Sequence, residues 1–188
     1  MNATTDLAAG PSGADARLAQ LSGWISGLPA ALELNPASLR PASSDASFRR
    51  YFRVEMGAGT AVVMDAPPGK EDCRPFLHVA GLLRDAGVHV PAVLAQDVDQ
   101  GFLLLSDLGF TTYLDYLRGQ TTPHDIHRIY MDALASLVKL QQSATTGLAR
   151  YDKPRLIAEL ELFPEWYAAR YCDRPLDPPE RDTLNGVF

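Results

Sequence analysis

The sequence is poor in cysteine, has no excess of basic residues and contains no apolar run of membrane-spanning length. Its two cysteines, Cys73 and Cys172, lie far apart without the spacing of a metal site, so we expect reduced thiols and a cytoplasmic protein. The net charge of −6 argues against a nucleic-acid-binding surface. The sequence also lacks the pattern of a signal peptide at its N-terminus. Together, these features predict neither a nucleic-acid partner nor a membrane.

What the sequence does contain is an ordinary globular composition. Of its 188 residues, 46% are hydrophobic and 21% are charged, which suits one sizeable core or two small lobes around a cleft. Residues 1–13 are small and polar and predict a disordered tail. The plausible boundary between two lobes lies near Gly109, which gives a first lobe over residues 14–109 and a second over 110–188.

The most informative stretch is PASSDASFRRYFRVEMGAGTAVVMDAPP. Residues 41–47 are small and predict a loop. Residues 48–55 show the period-two alternation of a half-buried strand, and the apolar residues 61–64 predict a second strand. The glycines in 57–59 can supply the positive φ of a hairpin turn. The stretch therefore predicts a loop followed by an antiparallel hairpin.

Helical and strand patterns alternate around this hairpin. Apolar residues recur at three and four over residues 14–32 and again in a second helix over 69–87. The apolar run 102–105 predicts a buried strand that forms a hairpin with 93–95, and the strongest helical pattern follows over 123–140. This order predicts an α+β fold in which a small antiparallel sheet with a crossing helix precedes a group of helices.

The Ser-rich loop before the first hairpin suits an anion. Ser44 and Ser47 can offer hydroxyl and N–H groups, while Arg49 and Arg50 add positive charge, a combination that suits a polyphosphate. The alternative is that residues 41–47 form only a turn. These residues alone leave both interpretations open.

Several segments resemble one family of enzymes. The segments LLLSDLG, VHVPAVLAQD, SDASFRRYFRV and VVMDAPP are similar to those of the aminoglycoside phosphotransferase superfamily, whose members have a protein-kinase-like fold. Within it, these segments and LELFPEWY most resemble the kinases that phosphorylate N-acetylmuramate and N-acetylglucosamine at the anomeric carbon in cell-wall recycling. The resemblance covers about residues 14–188.

This resemblance implies a kinase that uses ATP and Mg²⁺. Residues 14–109 would form the nucleotide-binding lobe with its linker, and 110–188 would begin a helical lobe. In the linker, Ser106 would offer its carbonyl and Leu108 its N–H to adenine, with Asp107 pointing away. The expected nucleotide-binding residues are Ser44, Ser47, Arg49, Arg50, Ser106, Asp107 and Leu108.

Two departures from the family pattern bear on catalysis. Met64 stands where such enzymes carry a phosphate-binding Lys. The phosphate charge would then be met by Arg49, Arg50 or Lys70, or by a metal ion. No H-x-D-x-x-x-x-N segment, which holds the family's catalytic base and metal ligands, follows Gly109. We therefore expect a chain that is truncated before the catalytic loop, contains no catalytic or metal-binding residue and is inactive alone.

The segments that match best do not determine which substrate is bound. The resemblance implies a nucleotide and a small sugar as binding partners, with the anomeric hydroxyl of the sugar as acceptor. Another hydroxyl substrate, such as an aminoglycoside, choline or homoserine, is the first alternative, and the acidic chain suits a cationic substrate slightly better. The second alternative is a short protein that binds nucleotide or a partner without catalysis.

Overall fold

The computed structural model describes residues 13–44, 47–119 and 122–187. The expected disordered tail therefore lies outside the described residues, apart from Gly13, which begins a helix. No helix in the described part of the chain is long and apolar enough to span a membrane.

The chain divides into two compact units, one ending at Ala144 and the other beginning at Thr145. Among the described residues, the first unit contains the sheet and the helices up to residue 141, and the second contains helices alone. The predicted lobe boundary near Gly109 falls inside the first unit and stays a prediction.

In its described residues, the first unit consists of a five-stranded sheet and four α-helices. A short 3₁₀ turn, Ala30–Leu32, follows the first helix. The elements in chain order are α1 (Gly13–Ser26), β1 (Leu34–Ser44), β2 (Arg50–Met56), β3 (Gly59–Asp65), α2 (Arg74–Asp85), β4 (Val93–Asp97), β5 (Phe102–Ser106), α3 (Tyr113–Arg118) and α4 (Pro123–Gln141).

The sheet has the order β1-β2-β3-β5-β4, and every pair of neighbours is antiparallel. The predicted hairpins β2–β3 and β4–β5 are both confirmed, with α2 between them in the chain. Gly57 takes the positive φ of 54° that the first hairpin turn requires. The α+β class and the kinase-like order of elements are confirmed.

The two faces of the sheet carry two separate cores. On one face, Leu21 and Ile25 of α1 pack against alternate residues of the central strands, among them Phe52, Val54 and Phe102. Burying one such side chain contributes about 1.5–3 kcal/mol, so this contact is what holds α1 to the sheet. The other face packs against α2 and contains Met64, Ala66, Cys73, Leu103 and Leu105.

The prediction of a loop over residues 41–47 is wrong in its first half. Residues up to Ser44 belong to β1, which is an edge strand of eleven residues. Its pairing with β2 is irregular on both sides of Arg40 and Pro41. Proline removes a ladder donor and is tolerated at an edge strand or a bulge, so Pro36 and Pro41 obscure the full length of this strand in the sequence.

Two helix boundaries also differ from the prediction. The first helix ends at Ser26 instead of near residue 32, because Gly27 and Pro29 terminate it. The second begins at Arg74 instead of Gly69, since the N–H groups of residues 70 and 71 both bond the Pro67 carbonyl in a turn. Its end at a positive-φ glycine, residue 87, is confirmed.

The helices that follow the sheet begin as their sequences predict. Thr112 caps α3 and Thr122 caps α4, each in a capping box with the Asp three residues later. In the second unit, α5 (Lys153–Leu160) is followed by a π-helical segment, Phe163–Tyr171, and then by α6 (Pro178–Val187). The π-helical segment stacks Phe163 on Tyr167 and Tyr167 on Tyr171.

Candidate functional site

A cleft of about 400 Å³ lies in the first unit, beside the chain that leaves β5. This volume is typical of small-molecule sites. The strands β1 to β3, the first turn of α2 and the linker after β5 all contribute to its wall. The lining residues are Ala42, Tyr51, Arg53, Val62, Phe76, Pro91, Leu105, Ser106, Asp107, Leu108, Gly109, Phe110, Thr111 and Thr112.

Apart from Arg53, the residues of the central strands that line this cleft are mainly apolar or aromatic. Tyr51, Val62 and Leu105 lie on neighbouring strands, and Phe76 of α2 faces them. Alternation along the strands puts these side chains on the face opposite α1. Such a slot suits a flat, mainly apolar ring, while the linker supplies its polar edge.

In the described part of the chain, the backbone of the linker carries unpaired hydrogen-bonding groups beside the cleft. The Leu108 N–H forms no hydrogen bond with any described residue. Ser106 donates its N–H to the Ala92 carbonyl at 2.8 Å, and its Oγ accepts the Ala92 N–H at 2.9 Å. Pairing alternates along β3 and β5, and the Ala66 N–H bonds the Gly101 carbonyl, so Ser106 occupies a position whose carbonyl points away from β3. An acceptor and a donor two residues apart are therefore available on the linker.

The side chain of Asp107 is bound to the sheet at the edge of the cleft. Its carboxylate accepts hydrogen bonds from Arg53 Nε at 2.5 Å, Arg53 Nη2 at 3.0 Å, Thr60 Oγ1 at 2.6 Å and the Gly109 N–H at 2.9 Å. The hydrogen bonds from Arg53, followed by those from Thr60 and Gly109, hold the pKa of Asp107 well below its usual range. The carboxylate is therefore charged at neutral pH and is fully occupied by these partners.

The predicted phosphate-binding residues lie at the opposite end of β2 from the linker. The backbone of Ser44 ends β1, and its side chain lies outside the described residues, as do residues 45 and 46. Ser47 Oγ accepts from both the N–H and the Nε of Arg49 at 3.2 Å. Of the described residues in this group, Ser47, Arg49 and Arg50 do not line the cleft.

Arg50 is directed to the face of the sheet that carries α1. Its Nε donates to Asp65 Oδ2 at 3.0 Å, and its guanidinium lies 5.5 Å from the centre of the Phe52 ring. Asp65 is completely buried and also accepts from Arg17 Nε at 2.9 Å. The structure thus brings together the three linker residues of the prediction and gives Arg50 a structural partner away from the cleft.

The position of the usual phosphate-binding Lys is occupied by a core residue. Met64 is completely buried on the α2 face of the sheet, between Tyr51 of β2 and Leu103 of β5. His78 lies exposed on α2. Lys70 lies 4.6 Å from the centre of the exposed Phe48 ring, near the end of β2 that begins at Arg50.

Sequence reasoning missed Arg53 and Thr60. The sequence pattern places Arg53 on the same face of the strand as Tyr51. Its partner Asp107 is 54 residues away, so local sequence does not reveal the pair. Only the register β2–β3–β5 brings the two together, since Arg53 lies opposite Val62 and Ala61 lies opposite Ser106.

A metal site requires several acidic, histidine or cysteine side chains close together. Within residues 13–44, 47–119 and 122–187, no group of three or more such side chains is arranged to hold a metal ion. We therefore assign no metal ligand to the described residues.

The comparisons with known proteins agree with the architecture. The APH phosphotransferase enzyme family matches residues 38–185. An N-acetylmuramate/N-acetylglucosamine kinase of Pseudomonas aeruginosa is 53% identical over 171 residues, which cover 87% of this chain and 49% of that protein. Kinases of the same name from Pseudomonas putida and Neisseria meningitidis are 44% and 40% identical, over 83% and 74% of this chain and 47% and 42% of their own.

The chain thus spans about half the length of the curated relatives that it matches. The matched region nevertheless contains four of the five strands in full and the linker that lines the cleft. By this match and by its fold, the chain belongs to the APH phosphotransferase enzyme family.

Proposed function

We propose that the protein is an ATP-dependent kinase that phosphorylates the anomeric hydroxyl of N-acetylmuramate or N-acetylglucosamine. The names of the relatives support this substrate class. The single observation that supports the nucleotide half of the proposal is the cleft beside the linker, with its apolar walls and its free Leu108 N–H. The free thiols Cys73 and Cys172 support a cytoplasmic location.

In this proposal adenine occupies the cleft. Its ring lies between Tyr51 and Val62 on the sheet side, and its edge meets the linker. The exocyclic amine of adenine donates to the Ser106 carbonyl, and the ring nitrogen beside it accepts from the Leu108 N–H. Each hydrogen bond contributes on the order of 1 kcal/mol, so the pair accounts for about thirtyfold in affinity.

The phosphates then extend along β2 toward Arg49. Arg49 directly precedes β2 and continues the period-two face of Tyr51 and Arg53, and a separation of four extended residues corresponds to about 13 Å from Arg53. Arg50 points to the opposite face and is paired with Asp65, so it supports the strand and is the weaker candidate for a phosphate contact. We therefore propose Arg49, with Ser44 and Ser47 beside it, as the phosphate-binding residues.

The reaction transfers the γ-phosphoryl group to the sugar. The hydroxyl oxygen forms the new bond to γ-phosphorus, the bond to the bridging oxygen breaks and ADP leaves with its electron pair. Mg²⁺ neutralises phosphate charge in such reactions, and catalysis consists mainly of positioning and charge stabilisation. The residues described here bind and orient the nucleotide, and we assign them no part in removing the hydroxyl proton.

The experiment uses purified protein with ATP, Mg²⁺ and either sugar. Phosphorylation of the anomeric hydroxyl removes the reducing end, so we expect ADP formation and loss of reducing sugar in equal amounts. The matched control is the methyl glycoside of N-acetylglucosamine, whose anomeric oxygen is blocked and which should not react.

Two results would contradict the proposal. Phosphorylation of the methyl glycoside would move the reaction to another hydroxyl. Turnover with an aminoglycoside, choline or homoserine but with neither sugar would replace the substrate class and keep the kinase. We expect no turnover from the 188 residues by themselves, and turnover by these residues alone would contradict that expectation.

A further inference from the structure

The guanidinium group of Arg53 holds the linker at two points, Asp107 and Gly109. Arg53 Nη2 donates to Asp107 Oδ1 at 3.0 Å and also to the Gly109 carbonyl at 3.2 Å. The Gly109 N–H donates to the same Asp107 oxygen at 2.9 Å. Leu108 is the only residue between these two anchors, so its backbone has little freedom to rotate.

The two side chains that hold Asp107 belong to the strands β2 and β3. Arg53 lies in β2 opposite Val62, and Thr60 lies at the start of β3 opposite Glu55. Thr60 Oγ1 donates to Asp107 Oδ2 at 2.6 Å, on the side of the carboxylate that also accepts Arg53 Nε. Two neighbouring strands therefore fix the Asp107 side chain from two directions.

This network is shielded from water. The side chains of Arg53 and Asp107 are 15% and 8% accessible, and the Arg53 guanidinium lies 5.7 Å from the centre of the Phe110 ring. A two-pronged contact of this kind is directional, since the planar guanidinium fits a carboxylate in one orientation. Leu108 itself is half exposed, so packing of its own side chain contributes little to its position.

We propose that Arg53 and Thr60 are positioning residues of the nucleotide site, which act through Asp107 to hold the Leu108 N–H toward the cleft. The inference rests on the proposed function, because it concerns how adenine is bound. It adds that adenine affinity is set partly by two side chains that need not touch the nucleotide. A linker freed from them would have to lose conformational entropy on binding, which weakens affinity without removing any contact to the ligand.

Arg53 also lines the cleft, so a direct contact with phosphate is the competing explanation. The two explanations differ in the part of the ligand that they affect. A positioning role changes the affinity for adenosine and for an ATP analogue by the same factor and leaves inorganic tripolyphosphate unchanged. A phosphate contact changes the affinity for tripolyphosphate and the ATP analogue and leaves adenosine unchanged.

The experiment measures dissociation constants of the non-hydrolysable ATP analogue AMP-PNP, adenosine and tripolyphosphate by calorimetry or ligand-observed NMR. We expect Arg53→Met to weaken AMP-PNP and adenosine about tenfold each and tripolyphosphate by less than twofold. Thr60→Val, which keeps the shape of the side chain and loses the hydroxyl, should weaken both adenine ligands about threefold. Thr60→Ser keeps the hydroxyl and should restore the affinity of the original protein.

Arg74→Met is the matched control, since it removes an exposed arginine of α2 that does not line the cleft. Circular dichroism and urea midpoints check that each variant is folded, and Thr60→Val carries the test if Arg53→Met does not fold. Unchanged adenosine affinity in folded Arg53→Met and Thr60→Val, or a loss confined to phosphate-bearing ligands, overturns the inference and keeps the nucleotide site. Failure of the unmodified protein to bind either adenine ligand overturns the proposed function and this inference together.

Discussion

Two aspartates at opposite ends of the β3–β5 pair are both held by arginine, and they serve different purposes. Asp65 ends β3 and points toward α1, where it accepts from Arg17 and Arg50. Asp107 follows β5 and is bound by Arg53 and Thr60. Asp65 is completely buried, whereas Asp107 lies at the rim of the cleft.

The difference lies in what each carboxylate holds in place. Asp65 connects α1, β2 and β3, and Arg17 also packs on the Phe102 ring at 4.1 Å, so this cluster fastens a helix to the sheet. Asp107 connects the sheet to a linker that belongs to neither a helix nor a strand. We therefore expect the Asp65 cluster to control stability and the Asp107 cluster to control nucleotide affinity, and this contrast can be tested from both sides.

The largest effect on stability should come from Asp65→Asn. The substitution keeps the shape of the side chain but leaves two guanidinium groups without a counter-charge, and we expect a loss of about 3 kcal/mol in the free energy of unfolding. Urea denaturation measures this loss. A change below about 1 kcal/mol would mean that Arg17 and Arg50 do not depend on this carboxylate, and would remove the proposed role of the cluster.

The glycines beside the two clusters test the same contrast. Substitution by alanine should reduce the free energy of unfolding more beside Asp65 than beside Asp107. Gly101 has a φ of 72°, and a Cβ there would lie 1.8 Å from the Ala66 carbonyl oxygen, next to Asp65. We expect Gly101→Ala to cost about 2 kcal/mol or more of unfolding free energy. Gly109, with a φ of 92°, has nothing within 4 Å of such a Cβ, so Gly109→Ala should cost only the backbone strain of about 1 kcal/mol.

Thermal or urea unfolding of the two alanine variants side by side measures the contrast. Equal losses would show that the turn at Gly101 adjusts to a side chain, and that the end of the sheet near Asp65 is less rigid than its contacts indicate.

The smallest effect is the acid dependence of the Asp107 cluster. Because the pKa of Asp107 is lowered in the folded protein, the cluster contributes stability above the unfolded pKa of about 4 and loses it as the pH falls toward the folded value. The difference in unfolding free energy between the original protein and Asp107→Asn should therefore stay constant from pH 5 to 8 and shrink below pH 4. A difference that already changes between pH 6 and 8 would contradict a carboxylate that stays charged there.

The parts of the fold set by local pattern were predictable from the sequence. Period-two alternation indicated the β2–β3 hairpin, and the cap at Thr122 marked the start of α4. The full length of the edge strand β1 was not predicted, because Pro36 and Pro41 suppress the usual strand signal, although an edge position tolerates both.

The site was predictable only in part, because its key contacts are between distant residues. The linker was recognised through its resemblance to a family, and the structure lines a cleft with it. The pairing of Arg53 with Asp107 spans 54 residues and depends on the register of three strands. Arg50 looked equivalent to Arg49 in the sequence, yet alternation along β2 directs it to Asp65 on the other face.

The most direct test of the account is the affinity of an ATP analogue for a Leu108→Pro variant. Proline removes the N–H that the account assigns to adenine and leaves the buried strand β5 intact, while Leu108→Ala removes the side chain and keeps the N–H. Calorimetric titration with AMP-PNP should give about tenfold weaker binding for Leu108→Pro and nearly unchanged binding for Leu108→Ala, with circular dichroism showing that both are folded. Unchanged affinity in a folded Leu108→Pro variant would contradict the placement of adenine on this linker.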